Sequence, residues 1–464
     1  MSAVRSALGA WSRLSLDAKV VGVLALGNWT LLFQSHTVVQ VTSDGPLWRL
    51  FPGLWAAAWM LACGLAAVLY PLRDERLGER FTFRGRALHL AAILVLFVAL
   101  PTIAAIVLRE TGRPYTYVHD GAIMIEEAAR KVLAGQDPYV TDYLDTPLFY
   151  WPMINNPALY HLTYFPLLFL VTLPPIALFD AAGLFFDQRY VYFPAFAATL
   201  LVAPLLVPAT GSARRDAAYR LSLVALVGLD PQLFPFVVEG RNDFFVLLFM
   251  FVGIALLQRE RRTLGVLALC VAAASKLHAG LLLPFVAAYL IWRDRARSPR
   301  QAAATLVRAG WAGAALLAAI FLPFMLGSFA SFWDDIVAYN AGGAAWSYPI
   351  SGLGFSALLL RLGVIAYPQQ DFPFWALELA VALPLAAFSL WRLRRDPGIP
   401  AMLAGYALTL LAFLFFGRYF HGNYLGFIIA VLAPAAFMRP AALSLPLPSL
   451  RRRLAAPARP RIAT

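Results

Sequence analysis

The chain has 464 residues, a formal net charge of +13, 61% hydrophobic residues and only 14% charged ones. A soluble domain carries about 25% charged residues, and several apolar stretches here reach the roughly 20 residues that cross a bilayer, so a polytopic membrane protein is indicated and a soluble globule excluded. The positive charge is nearly all arginine, gathered in short loops between apolar runs, which marks membrane topology and argues against nucleic-acid binding.

In chain order, apolar spans are expected at roughly 19–42, 50–71, 87–108, 190–208, 217–237, 243–258, 263–275, 277–292, 302–327, 372–391, 398–416 and 423–438. The first span has no small-residue cleavage motif and reads as a retained anchor. Arg73, Arg76, Arg80, Arg84 and Arg86 follow the second span and place that loop in the cytoplasm. The third span then exits, and the segment 109–160 becomes extracytoplasmic. Later basic groups at Arg214–Arg220, Arg259–Arg262, Arg293–Arg300, Arg392–Arg395 and Arg451–Arg453 agree with this scheme on one condition. The apolar stretches 162–180, with Pro166, Pro174 and Pro175, and 351–366, with Arg361, must not cross. Both read as re-entrant or interfacial helices on the outer side. The expected fold is therefore all-α and polytopic, with about 12 crossings and both termini cytoplasmic. It divides into two extra spans at 1–86, a membrane domain at 87–438 and a basic, proline-rich tail at 439–464.

His119-Asp120-Gly121 opens the outer segment. An amphipathic helix is expected over 121–134, with Ile125, Ala128, Ala129, Val132 and Leu133 on one face, lying on the membrane surface. Glu126–Arg130 and Glu127–Lys131 are i,i+4 pairs, and Gly135 fits the stop. Asp120 is either the N-cap of this helix or a general base for an acceptor hydroxyl. Aromatic residues crowd the rest of the segment, Tyr139 and Tyr164 among them, and suit either sugar stacking or interface anchoring.

Thr263 to Trp292 is an apolar run flanked by basic residues on both sides. As one helix it would span about 45 Å, too long for a core of about 30 Å. A hairpin with its tip at Ser275-Lys276-Leu277-His278 is expected. Lys276 is either a snorkelling residue or a point charge for a lipid-linked phosphate. Glu239 to Asp243 and Arg418 to Tyr424 are the other polar constellations on the outer side. Arg241, Arg418 and His421 suit phosphate, and Asn242 and Asp243 suit sugar hydroxyls. A solvated helix-capping loop and an aromatic-belt loop are the plainer alternatives. Cys63 and Cys270 lie in apolar runs and read as core residues. Neither a strong metal signature nor a nucleotide-binding glycine pattern is present.

His119-Asp120-Gly121, Gly135-Gln136-Asp137-Pro138-Tyr139, Tyr164-Phe165-Pro166, Gly240-Arg241-Asn242-Asp243, Lys276 and Arg418 to Tyr424 resemble, in this order, the GT-C superfamily of integral-membrane glycosyltransferases. The branch it looks most like is the polyprenyl-phosphate-mannose-dependent mannosyltransferase type. The two N-terminal spans depart from the pattern. The resemblance implies inverting transfer from a polyprenyl-phosphate sugar to a glycan or glycolipid acceptor on the outer face of the cell membrane. Asp120 would be the base, and Lys276, Arg241, Arg418 and His421 would hold the donor phosphate. His119, Glu127, Tyr139, Tyr164, Asn242, Asp243, Asn423 and Tyr424 would contact sugar or acceptor. No cofactor is required. Some relatives use a divalent metal, for which Asp120, Glu126 and Glu127 would be the available carboxylates. Another lipid-linked glycan polymerase or ligase, a transporter and a membrane scaffold are the competing readings.

Overall fold

The computed structural model describes residues 9, 11–32, 54–153, 156–295 and 298–439. Nearly every described element is a helix. Strand pairing is confined to the parallel contact of Ser351–Gly352 with Tyr419–Phe420. Parts of the first and second expected spans, and the basic tail from 440 on, lie outside the described residues.

Among the described residues, five helices are long and apolar enough to cross a bilayer: Ala56–Arg80, Phe83–Thr111, Arg189–Leu206, Pro299–Gly327 and Phe374–Arg395. Shorter apolar helices include Pro166–Ala181, Asp243–Gln258, Arg262–Ser275, Ile399–Phe415 and Gly422–Phe437. The expected span 217–237 is not one helix. Ala213–Gly228 ends there, and Phe234–Val238 restarts after a turn held by Asp230, whose carboxylate accepts from the Gln232 amide.

The N-terminal helices share the main core with the rest of the chain. Asn28 donates to the Leu229 carbonyl at 2.6 Å, 201 residues away. Arg86, read from the sequence as a cytoplasmic loop residue, is instead buried. It bonds Asp17 at 2.9 Å and also Asp74, and Tyr70 donates to Asp17 at 2.8 Å. A charged group inside the bundle is retained only when paired in this way.

Three consecutive helices position the polar residues that matter most. Asp243–Gln258 and Arg262–Ser275 pack antiparallel across facing glycines, Gly253 and Gly265, where a Cβ on either would press the other's backbone. Lys276 then adopts extended geometry, φ −157° and ψ 134°, and breaks the run. The chain turns back, so that Arg262 meets Asp294 at 2.5 Å and Arg293 meets Glu260. One end of this assembly carries the arginines and the other carries Asp243 and Lys276.

Candidate active site

Four separate stretches meet at one cavity of about 470 Å³, inside the range of small-ligand sites. They are His119–Ala122, Gly240–Asp243, Ser275–His278 and Gly417–Tyr424 with its neighbours. Of the residues expected to act as base, phosphate ligand or sugar and acceptor contact, all but Glu127 and Tyr139 line it.

Helix Asp120–Leu133 begins one residue earlier than expected, so His119 and not Asp120 is its N-cap. His119 Nδ1 lies 2.7 Å from Asp120 Oδ1 and 3.0 Å from the Gly121 amide, which itself reaches Asp120 Oδ1 at 2.7 Å. A proton on Nδ1 is donated to the carboxylate and cedes the amide to it, which gives Asp120 two donors. Burial pushes the Asp120 carboxyl up. His119, Arg241 and the Gly121 amide outweigh it and hold the group below its ordinary range. Asp120 therefore enters the cavity as a carboxylate. Gly121 is glycine because a Cβ there would overlap the Tyr164 hydroxyl.

The helix does not lie on the surface as expected. Its residues are buried on nearly all sides, from Asp120 to Glu126 and at Ala128, Ala129 and Lys131. Its charge pairs also differ from the i,i+4 set. Glu127 bonds Arg130 at 2.8 Å, three residues on, and Arg130 reaches Asp180. Lys131 lies 3.5 Å from Asp145. Glu126 turns inward to Arg109, at 2.6 and 2.8 Å. Arg109 also reaches Asp187, at 2.9 Å, and Asp187 binds Arg189 at 2.7 Å. These four side chains are at most 2% exposed and their charges cancel. The remaining Arg189 donor bridges the Tyr117 and Val238 carbonyls, both at 2.8 Å. The His119 amide donates to the Glu239 carbonyl. The quartet thus clamps the Asp120 loop against the Arg241 loop. Since Glu126 is committed to Arg109 and Glu127 to Arg130, Asp120, Glu126 and Glu127 do not converge as metal ligands.

Lys276 Nζ is 2.6 Å from Asp243 Oδ1, a consequence of the two antiparallel arms ending at the same level. Asn423 Nδ2 donates to the other Asp243 oxygen at 3.1 Å. Lys276 also sits 5.7 Å from the Tyr424 ring centroid and keeps donors free for a ligand. Arg241 is paired with Glu239 at 3.0 Å and lies 4.2 Å over Phe236.

Two expected phosphate ligands have other duties. Arg418 donates to the carbonyls of Tyr348, Gln370 and Pro368. These bonds tie the segments 348–370 and 418 together and leave two of the five guanidinium N–H donors uncommitted. His421 is a neutral imidazole: burial, then Arg241 and His119, push it down to about 4. It can offer a hydrogen bond but not charge. Tyr139, outside the cavity, donates to the Tyr164 carbonyl at 2.7 Å and packs against Phe332, so its part is to brace Tyr164.

His161, Asp334 and Asp335 form the group with metal-like spacing among the described residues, and it lies outside the cavity. Both His161 nitrogens already face acceptors, Asp335 Oδ1 at 2.8 Å and the Ala345 carbonyl at 2.5 Å. The ring serves as a strut between the two loops.

Glu378 was missed in the sequence. It lines the cavity from helix Phe374–Arg395. A lone carboxyl in an otherwise apolar span is the signal that finds it.

Residues 163–417, more than half of the chain, match the family model for Glycosyltransferase family 87. The chain belongs to glycosyltransferase family 87. No curated protein matches it. As a family 87 member it is a membrane glycosyltransferase, which sets aside the transporter and scaffold readings. The matched region takes in Tyr164, Arg241 to Asp243, Lys276 and Glu378; Asp120 precedes it, and Arg418 to Tyr424 follow it.

Proposed function

We propose that this family 87 protein transfers a sugar, mannose or another hexose or pentose, from a polyprenyl-phosphate donor to a glycan or lipid acceptor, with inversion. The single observation that carries this reading is Asp120, held as a carboxylate in the same cavity as Lys276 and Arg241.

In one displacement, the acceptor oxygen forms a bond to the anomeric carbon while the bond from that carbon to the phosphate oxygen breaks. The phosphate leaves with the electron pair, and the acceptor proton passes to Asp120. A carboxylate below its usual range is a weak base. It suffices here because the acceptor hydroxyl becomes strongly acidic as its new bond forms. Lys276 and Arg241 offset the charge that develops on the departing phosphate. Inversion asks for one carboxylate, as base, and Asp120 supplies it, while Asp243 is committed to Lys276 and Asn423. No nucleotide or ATP is needed, because the donor already carries its leaving group.

The positive-inside pattern supports about 12 crossings, cytoplasmic termini and a site on the extracytoplasmic face. The resemblance noted above favours the mannose donor.

The test is sugar transfer in nanodiscs from a panel of polyprenyl-phosphate sugars, comparing wild type with Asp120→Asn. Loss of transfer with an unchanged melting temperature is expected. Transfer at the wild-type rate in Asp120→Asn would remove Asp120 from the chemistry.

A further inference from the structure

Helix Phe374–Arg395 has little of its apolar surface covered by the rest of the protein, so it faces lipid. Glu378 interrupts it one turn from its start and faces the cavity. Among the described residues it has neither a hydrogen-bond nor an ion-pair partner. Room for its carboxyl is made by Gly417, where a Cβ would lie 2.5 Å from Oε1. A carboxyl left without a partner inside a span is expensive, and the cost is offset if a ligand supplies the donors.

The neighbours say which ligand. Trp375 is three residues earlier and so on the same helix face. It also lines the cavity, yet is 54% exposed. Leu379, Phe413 and Leu414 complete this wall, and Leu379 is 42% exposed. Here the cavity opens sideways toward the bilayer. An indole face beside a carboxyl suits a sugar ring, whose C–H face packs on the indole while its hydroxyls donate to the carboxyl. A phosphodiester suits it badly, because it brings acceptors only. Its complement is the Lys276 and Arg241 side of the cavity.

We propose that Trp375 and Glu378 form the acceptor subsite, holding the sugar ring of a membrane-anchored glycan at the lateral mouth. This rests on the glycosyltransfer reading above and assigns one of its two substrates.

The experiment uses tritiated n-octyl α-mannoside as the probe and full-length protein in nanodiscs. Binding, which needs no turnover, is expected to weaken about threefold to tenfold in Glu378→Leu, the cost of one hydrogen bond. Trp375→Ala should weaken it as well, and Glu378→Gln should restore part of it. Initial rates with polyprenyl-phosphate mannose should show a raised KM for the mannoside in Glu378→Leu, with the donor KM unchanged. Melting temperatures check that each variant is folded. Unchanged mannoside binding, or no binding by the wild type, overturns the proposal. So does an effect on the donor KM in place of the acceptor KM. Wild-type binding without transfer leaves the subsite standing and refutes transfer from that donor.

Discussion

Replacing Asp187 by Asn should be among the most damaging single changes in the chain outside the cavity. Asp187 accepts from Arg109 at 2.9 Å and from Arg189 through its amide, Nε and NH2 at 2.7–2.9 Å. Burial pushes its carboxyl up, but Arg189 and Arg109 hold it well below the usual carboxylate range. The asparagine removes one charge from a balanced quartet and turns an NH2 toward guanidinium donors. Two buried cations then share Glu126 alone. Breaking a buried pair by removing one partner costs about 3–5 kcal/mol, whereas Asp180→Asn, which breaks the partly exposed pair to Arg130, should cost less than about 1 kcal/mol. Chemical unfolding in nanodiscs compares the two. Adding Arg189→Met to Asp187→Asn restores neutrality and should recover part of the loss, a coupling of about 0.5–3 kcal/mol. Transfer activity should not return, because Arg189 no longer bridges Tyr117 and Val238. An Asp187→Asn protein as stable as Asp180→Asn, or a strictly additive double variant, would refute the clamp.

Three other perturbations test separate parts of the site. Gly121→Ala forces Tyr164 away and should cost about 1–3 kcal/mol, with part of it regained in Gly121→Ala/Tyr164→Phe; equal melts for all three proteins would contradict the overlap. Arg418→Lys replaces three carbonyl contacts by one point charge, so hydrogen exchange should rise across 348–370 while the donor KM stays unchanged, and a raised donor KM would return Arg418 to the phosphate. His421 has a folded-state value of about 4 against about 6.5 when unfolded. Between these values the unfolded chain binds the proton that the folded chain refuses, so stability falls as pH drops through that window, and His421→Gln should flatten the melting profile there.

Much of this architecture was legible in the residues because helix length, basic flanks and apolar period are local properties. The turn at Lys276 follows from a run too long for one crossing. The meeting of His119–Asp120, Arg241–Asp243, Lys276 and His421 follows from counting which loops share a side. What escaped is what depends on partners distant in sequence. Glu126 has Arg130 four residues away, so spacing suggests a surface pair, yet Arg109, at the far end of another helix, wins because that site is dry. Arg418 reads as a phosphate ligand by sequence, which shows nothing of its bonds to the carbonyls of Tyr348, Pro368 and Gln370. Arg86 sits in a basic loop by sequence and in a buried triad by contact. In each case hydrogen-bond satisfaction in a low-dielectric interior decides, and linear spacing carries no information about it.

The contact between Asp243 and Asn423 closes over 180 residues of chain. During synthesis, Asp243 and Lys276 are made long before the helix Gly422–Phe437 exists. The cavity therefore lacks one wall until that helix joins the bundle. A chain stopped short of it would hold Lys276, Arg241 and the Asp120 carboxylate without the wall that carries His421, Asn423 and Tyr424.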